Sequence, residues 1–210
     1  MFDLLLASGS PRRREILRDL AGDLGLRFSL LSPDVDESLR DDLPPPERVL
    51  ALAGDKARAA LARPEAAAFR WILAADTLVC LPGLPPAGGE LVLGKPDGRA
   101  GAEAMIRALS GREHLVHTGL LLLDRATGRE VAARSDSSVR FATLEEEEIA
   151  SYLDSGDWEG VAGAYKIQGL AARYIERIDG SWSGIVGLPI RELYGILRRA
   201  GLVPLPAREA

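Results

Sequence analysis

A single cysteine, Cys80, excludes an internal disulfide. It sits in an apolar run, where a buried, unreactive thiol is the expectation. Apolar runs such as Leu120–Leu123 fall far short of the ~20 residues a membrane span needs, so no membrane partner is expected. No secretory leader is expected either. Phe2 is followed at once by Asp3, with no basic stretch and no small-residue cleavage site behind a long apolar segment. The chain also lacks a basic excess: its net charge of −5 argues against nucleic acid as the main partner. Lysine is scarce. Of 26 cationic residues only Lys56, Lys95 and Lys166 are lysine. In so arginine-biased a chain, a retained lysine hints at a compact, three-donor ammonium that a planar guanidinium cannot replace. These absences leave a cytoplasmic enzyme or binding protein.

What is present suffices for one folded unit. The 210 residues are 47% hydrophobic and 27% charged, and a chain of this size buries roughly 70% of its unfolded surface. Residues 2–7 read as a short buried strand, followed by a helix capped by Ser10, with Pro11 at its first position and Gly22 at its stop. Residues 26–31 read as a strand, 32–47 as an acidic, Pro-rich loop, 47–62 as an Ala-rich helix and 71–81 as a strand broken by one acid, Asp76. Residues 82–90 read as an exposed hairpin connection. Further on come a helix over 99–109, strands near 114–124 and 130–141, an acid-led helix over 145–153, a strand near 171–178 and a last helix over 190–200. Strands alternate with helices without a repeat or linker. The expected fold is therefore α/β, a single domain over 1–210 (core about 3–200) with a mixed twisted sheet, helices on its faces and a cleft between two lobes.

Several constellations could carry chemistry. Ser8-Gly9-Ser10-Pro11-Arg12-Arg13-Arg14 turns a strand into a helix N-terminus, which offers backbone N–H groups, hydroxyls and guanidinium forks to an anion. The alternative is an ordinary capped helix with a basic, solvated face. Asp76 lies among Ile72, Leu73, Ala74, Leu78 and Val79, so its carboxylate must be paired, metal-bound or at a cleft edge; the alternative is an Asp capping a turn. Asp34, Asp36 and Glu37 are either a solvated loop or, with Asp76, an oxygen shell for a magnesium-type cation. Lys95 is pinned between Gly94 and Pro96. His114 and His117, three apart on a strand, face opposite sides and make a poor metal pair, so His114 reads as a hydrogen-bonding residue. In Gly163–Gly169, glycines bracket Tyr165 and Gln168, which suits close backbone approach to a ligand and amide readout of a base edge.

Taken in order, these segments resemble the Maf family of nucleoside triphosphate pyrophosphatases. The matching pieces are Ser8–Arg13, Asp36-Glu37, Lys56-Ala57, Ala75-Asp76-Thr77, Gly94-Lys95-Pro96, Ser110-Gly111 with His114 and Thr118-Gly119, Ala162–Tyr165 with Ile167–Gly169, and Val186–Pro189. The resemblance implies cleavage of a nucleoside triphosphate between its α- and β-phosphates, giving the monophosphate and pyrophosphate with a divalent cation, Mg²⁺ or Mn²⁺. It assigns the catalytic base to Asp76 and base specificity to Arg12, Thr77 and Gln168, in the pattern of members that hydrolyse dTTP and UTP. Ser8, Ser10, Arg13, Lys56 and Lys95 then meet the phosphates, and Glu37 shares the metal with Asp76. A homodimer is implied by resemblance alone. The competing readings are hydrolysis of 7-methyl-GTP or another non-standard purine, and a nucleotide-sensing regulator of cell division with little turnover. Two departures stand out. Gly160 and Val161 occupy positions where such members carry Asp-Lys, and Lys166 stands where glycine is usual, as if its charge replaced the lysine missing at 161.

Overall fold

The computed structural model describes residues 1–83 and 89–203. It is built on one mixed sheet of seven strands: β1 (Phe2–Ala7), β2 (Leu26–Leu31), β3 (Trp71–Pro82), β4 (Glu90–Leu93), β5 (Glu113–Asp124), β6 (Glu130–Phe141) and β7 (Ile175–Asp179). The spatial order is β2-β1-β3-β5-β6-β7, with β4 added to the far half of β3. The pairs β1–β2 and β1–β3 are parallel, and the remaining pairs are antiparallel.

Among the described residues six helices cover the sheet: α1 (Pro11–Ala21), α2 (Pro45–Leu61), α3 (Gly98–Leu109), α4 (Glu146–Asp154), α5 (Trp182–Val186) and α6 (Ile190–Arg199). Alternation along β3 divides the core. Trp71, Leu73 and Ala75 pack with Leu17 of α1 and Leu193 and Ile196 of α6. On the same face, Val79 and Leu81 pack with Ile106 of α3 and Ile149 of α4. Ile72 and Ala74 point the other way, onto Ala53, Ala57 and Ala60 of α2, and Leu78 and Cys80 join Val49 of the same helix. The small side chains of α2 bring it close to the sheet. At Gly119 of β5 the approach is so close that a Cβ there would collide with the Val49 carbonyl oxygen.

Most expected elements stand within two residues of their predicted bounds. The hairpin over 82–90 is present as the antiparallel β3–β4 pair, with residues 84–88 outside the described set. The strand expected near 171–178 is a correction: Leu170–Tyr174 form a 3₁₀ turn and β7 begins only at Ile175. Ala171 and Tyr174 are both buried, three apart, which fits a three-residue turn and not the two-residue period of a strand. The loop over 32–47 contains a 3₁₀ turn, Glu37–Arg40, opened by the Asp36 side chain accepting from the Ser38 N–H. Short β4 and α5 were not foreseen, because four or five residues carry too little periodicity to read.

Candidate active site

The site follows from an interruption in the sheet. β1 accompanies β3 only as far as the pair Ala7–Ala74, and β4 joins β3 only from Val79–Leu93 onward. Among the described residues, Ala75–Leu78 therefore lie between two partners on that side. The chain leaves β1 at Ser8 and leaves β4 at Gly94, so two loops diverge from the same stretch of β3. Such a point, outside the carboxyl end of a strand where neighbours part, is where open α/β sheets form their crevices.

A cavity of about 720 Å³ occupies this place, within the usual range for ligand sites. Ser8, Ser10, Arg12, Arg13, Asp34, Glu37, Lys56, Asp76, Thr77, Lys95 and Gln168 all line it; Asp36, offered with them as part of an oxygen shell, does not, and its carboxylate accepts instead from Ser38. Their sequence separations span most of the chain, and only the fold brings them together.

On the α2 face, Asp76 is 4% exposed and lies mid-strand in β3, which dismisses the turn-capping alternative. Its Oδ1 accepts from Lys56 Nζ at 2.5 Å, and the same ammonium donates to Glu37 Oε1 at 2.7 Å. Asp76 Oδ2 is buried without a hydrogen-bond partner. Burial pushes the Asp76 carboxyl above its ordinary range, opposed by the charges of Lys56 and Arg13. For Glu37 burial acts in the same direction but is outweighed by Lys56, Lys95 and Arg13, which hold that carboxyl below its ordinary range. Two carboxylates meeting on one cation, with a buried oxygen left over, is a donor set of hard oxygens that fits a divalent cation of the magnesium type.

On the other face, α1 presents its N-terminus. Ser10 caps it by accepting from the Arg13 N–H, and the Ser8 hydroxyl oxygen accepts from the Ser10 N–H and from an Arg13 guanidinium N–H, each at 3.2 Å. Arg13 is fixed at three points, since it also donates to the Gly187 carbonyl at 2.8 Å and to Thr77 Oγ1 at 3.0 Å. Burial lowers the pKa of both Arg12 and Arg13. Gly187 has φ 120°, a conformation that side chains rarely adopt, and this turn aims its carbonyl at the guanidinium.

Thr77 is tied on both sides. Thr118 Oγ1 lies 3.0 Å from Thr77 Oγ1 and 2.8 Å from the Gly184 carbonyl. A hydroxyl has one proton, so Thr118 donates to the carbonyl and accepts from Thr77. With one lone pair on Arg13 and its proton on Thr118, Thr77 can offer a ligand only an acceptor. Gln168 is exposed on a turn closed by Gly169 N–H to the Lys166 carbonyl. Lys166 lines the cavity, and its ammonium donates to Asp157 Oδ1 at 3.0 Å. Asp157 Oδ2 in turn accepts from the Leu170 N–H, so the pair staples the turn that carries Gln168.

His114 and His117 do face opposite sides. His114 Nε2 meets the Tyr165 hydroxyl at 2.8 Å, and Tyr165 lines the cavity. Sequence reasoning missed the parts played by Gly119, Asp157, Thr118 and the Gly184 and Gly187 carbonyls. Thr118, Gly119 and Gly187 stood in matching motif pieces without a role and Asp157 and Gly184 in none, because each acts through backbone approach or by holding another side chain.

A family model described as Maf-like protein matches residues 3–200. A dTTP/UTP pyrophosphatase of Treponema denticola is 43% identical over 202 residues, covering 95% of this chain and 97% of the relative. A dTTP/UTP pyrophosphatase of Ralstonia nicotianae is 45% identical over 210 residues, covering 95% and 94%. One from Pelotomaculum thermopropionicum is 39% identical, covering 96% and 98%. A solved structure, the nucleoside-triphosphatase (dITP/XTP pyrophosphatase) of Mycobacterium abscessus, aligns over 68% of this chain and 74% of its own at 20% identity and a TM-score of 0.40.

Proposed function

The chain belongs to the Maf-like family, and from that premise we propose that it hydrolyses nucleoside triphosphates, dTTP and UTP foremost, to the monophosphate and pyrophosphate. The observation that carries the reading is a buried Asp76 and a half-exposed Glu37 meeting on one ammonium, in a cavity that also holds the α1 N-terminus and Arg12, Arg13 and Lys95. A triphosphate brings close to four negative charges. Cations and a helix N-terminus around it bind those charges and stabilise what develops at phosphorus.

Asp76 is the proposed base. Its unpartnered Oδ2 can accept a proton from water, and the burial that raises its carboxyl makes it a stronger base than an exposed aspartate. Asp76 Oδ1 and Glu37 would hold the divalent cation, which supplies charge neutralisation on the phosphates when bound. Ser8, Ser10, Arg13, Lys56 and Lys95 take the phosphates. Arg12, Thr77 and Gln168 take the base. Thr77, an acceptor only, suits the N3–H of uracil or thymine and opposes the bare N3 lone pair of cytosine. The same reading takes residues 1–210 as one domain working in the cytoplasm as a homodimer; no described helix is long and apolar enough to cross a membrane.

The test is pyrophosphate release from dTTP, UTP, CTP, 7-methyl-GTP, ITP and the common purine triphosphates with Mg²⁺. Preference for dTTP and UTP over CTP is expected. Preference for a purine keeps the reaction and overturns the roles of Arg12, Thr77 and Gln168. Absence of release from every triphosphate under saturating Mg²⁺ or Mn²⁺ overturns the proposal.

A further inference from the structure

We propose that Cys80, His117 and Glu90 form a second cation site, of the zinc class and distinct from the cavity, which fastens β4 to the sheet. Among the described residues this is the group of His, Cys and acidic side chains whose ligand atoms all lie within 4.8 Å of one another. None of the three lines the cavity. Cys80 lies four residues beyond Asp76 on β3, about 13 Å at ordinary strand rise.

Strand register assembles the cluster. His117 pairs with Leu78 across β3–β5, and Glu90 pairs with Pro82 across β3–β4. Leu78, Cys80 and Pro82 alternate onto one face, so His117 and Glu90 share that face with the thiol. Cys80 and His117 are buried at 0% and 4% exposure. The three ligand atoms all lie within 4.8 Å of one another, and ligand atoms in a tetrahedral zinc site stand about 3.5 Å apart, so loading would draw them together.

The surroundings are those of a metal ligand set. His117 Nδ1 lies 2.7 Å from Asp136 Oδ1, and Asp136 Oδ2 accepts from Arg134 Nε at 2.9 Å. A carboxylate on Nδ1 fixes the imidazole tautomer with its Nε2 lone pair free, the usual support behind a metal-bound histidine. Nε2 faces Glu90 Oε2 at 2.8 Å, so a metal would enter between these two atoms, which would part to admit it. One thiolate and one carboxylate neutralise a divalent ion, and sulfur with imidazole selects a zinc-class metal over magnesium. Burial and the Glu90 charge push the thiol up to about 12, so without metal it is a neutral side chain, and loading displaces its proton. Arg48 of α2 is the cation that acts on the thiol from the opposite direction; it is itself paired with Asp41. β4 has four residues and runs directly into Gly94 and Lys95, so a filled site fixes the strand from which Lys95 enters the cavity.

The test is titration of chelator-stripped full-length protein with Co²⁺ in saturating Mg²⁺, followed by optical absorption. Because Cys80 is the sole cysteine, a thiolate-to-cobalt charge-transfer band reports on this residue alone. Expected are one equivalent of Co²⁺ with that band and visible bands of four-coordinate ion, both displaced by Zn²⁺. Cys80→Ser should abolish the charge-transfer band. Asp136→Asn, which keeps all three ligands, should weaken Co²⁺ binding by about 10- to 100-fold. Asp76→Asn and Glu37→Gln should leave the band unchanged, which separates this site from the proposed catalytic one. A folded wild-type protein without the band, or a band lost in Asp76→Asn, overturns the proposal.

Discussion

Two places on the α2 face of the sheet share one arrangement: a nitrogen group held between two carboxylates. In the first, Lys56 sits between Glu37 and Asp76; in the second, His117 sits between Glu90 and Asp136. Residue chemistry alone does not separate them. Strand pairing does. The first lies beside Ala75–Leu78, where β1 has ended and β4 has not begun, and opens to the cavity. The second lies on the completed β4–β3–β5 ladder, away from the cavity, with His117 buried between a partly exposed Glu90 and a half-exposed Asp136. Chemistry on a diffusing ligand belongs where the ladder is incomplete, and a structural role belongs where it is complete.

The sharpest way to break the comparison is to neutralise one carboxylate in each place. Asp76→Asn should cost at least ~100-fold in kcat for pyrophosphate release while triphosphate binding persists, on the scale of losing a general base. Asp136→Asn should leave kcat within a few-fold. Equal losses in both would end the distinction between the two places.

Gly119→Ala tests what positions the open one. Its Cβ would meet the Val49 carbonyl, which cannot rotate away, and Gly119 pairs directly with Asp76. The expected cost is about 3 kcal/mol in a urea unfolding curve, with kcat falling as α2 and its Lys56 are displaced from Asp76.

A third test uses the other histidine on β5. His114 has Tyr165 as partner, its Nδ1 is buried without one, and burial lowers its pKa to about 4. The folded state therefore favours neutral imidazole. Its contribution is complete above the unfolded value near 6.5 and is lost as pH falls toward 4, by up to about 3 kcal/mol. Unfolding curves across that window should slope downward with acid in the wild type and less so in His114→Gln.

The smallest effect is expected at Lys166. Its pair with Asp157 is partly exposed, so Lys166→Gly should cost under about 1 kcal/mol of stability. It should raise KM for dTTP a few-fold with kcat unchanged, because the pair steadies only the turn bearing Gln168.

Much of this could be read before any coordinates. Continuous apolar runs placed β1, β3 and β5, which are buried almost throughout, β6 alternates along its length, and α3, α4 and α6 each bury an apolar stripe. The Ser8–Arg14 turn and the buried acid at Asp76 declared themselves locally, one by its capping chemistry and the other by the cost of an unpaired charge. Lysine scarcity pointed at Lys56, Lys95 and Lys166, all of which line the cavity, the last of them also holding a turn through Asp157.

What local pattern could not supply was pairing. Period 2 says that Cys80 and Asp76 share a face of their strand, but only register says that His117 and Glu90 join the first and Gly119 lies beside the second. Likewise a threonine in a motif does not reveal that its proton is already taken by Thr118. The sequence by itself determined which side chains are costly to bury and where the chain turns, since those energies depend on near neighbours. Tertiary structure alone decided where β1 stops and β4 begins along β3, because that depends on contacts between residues far apart in the chain, and that interruption is what makes the site.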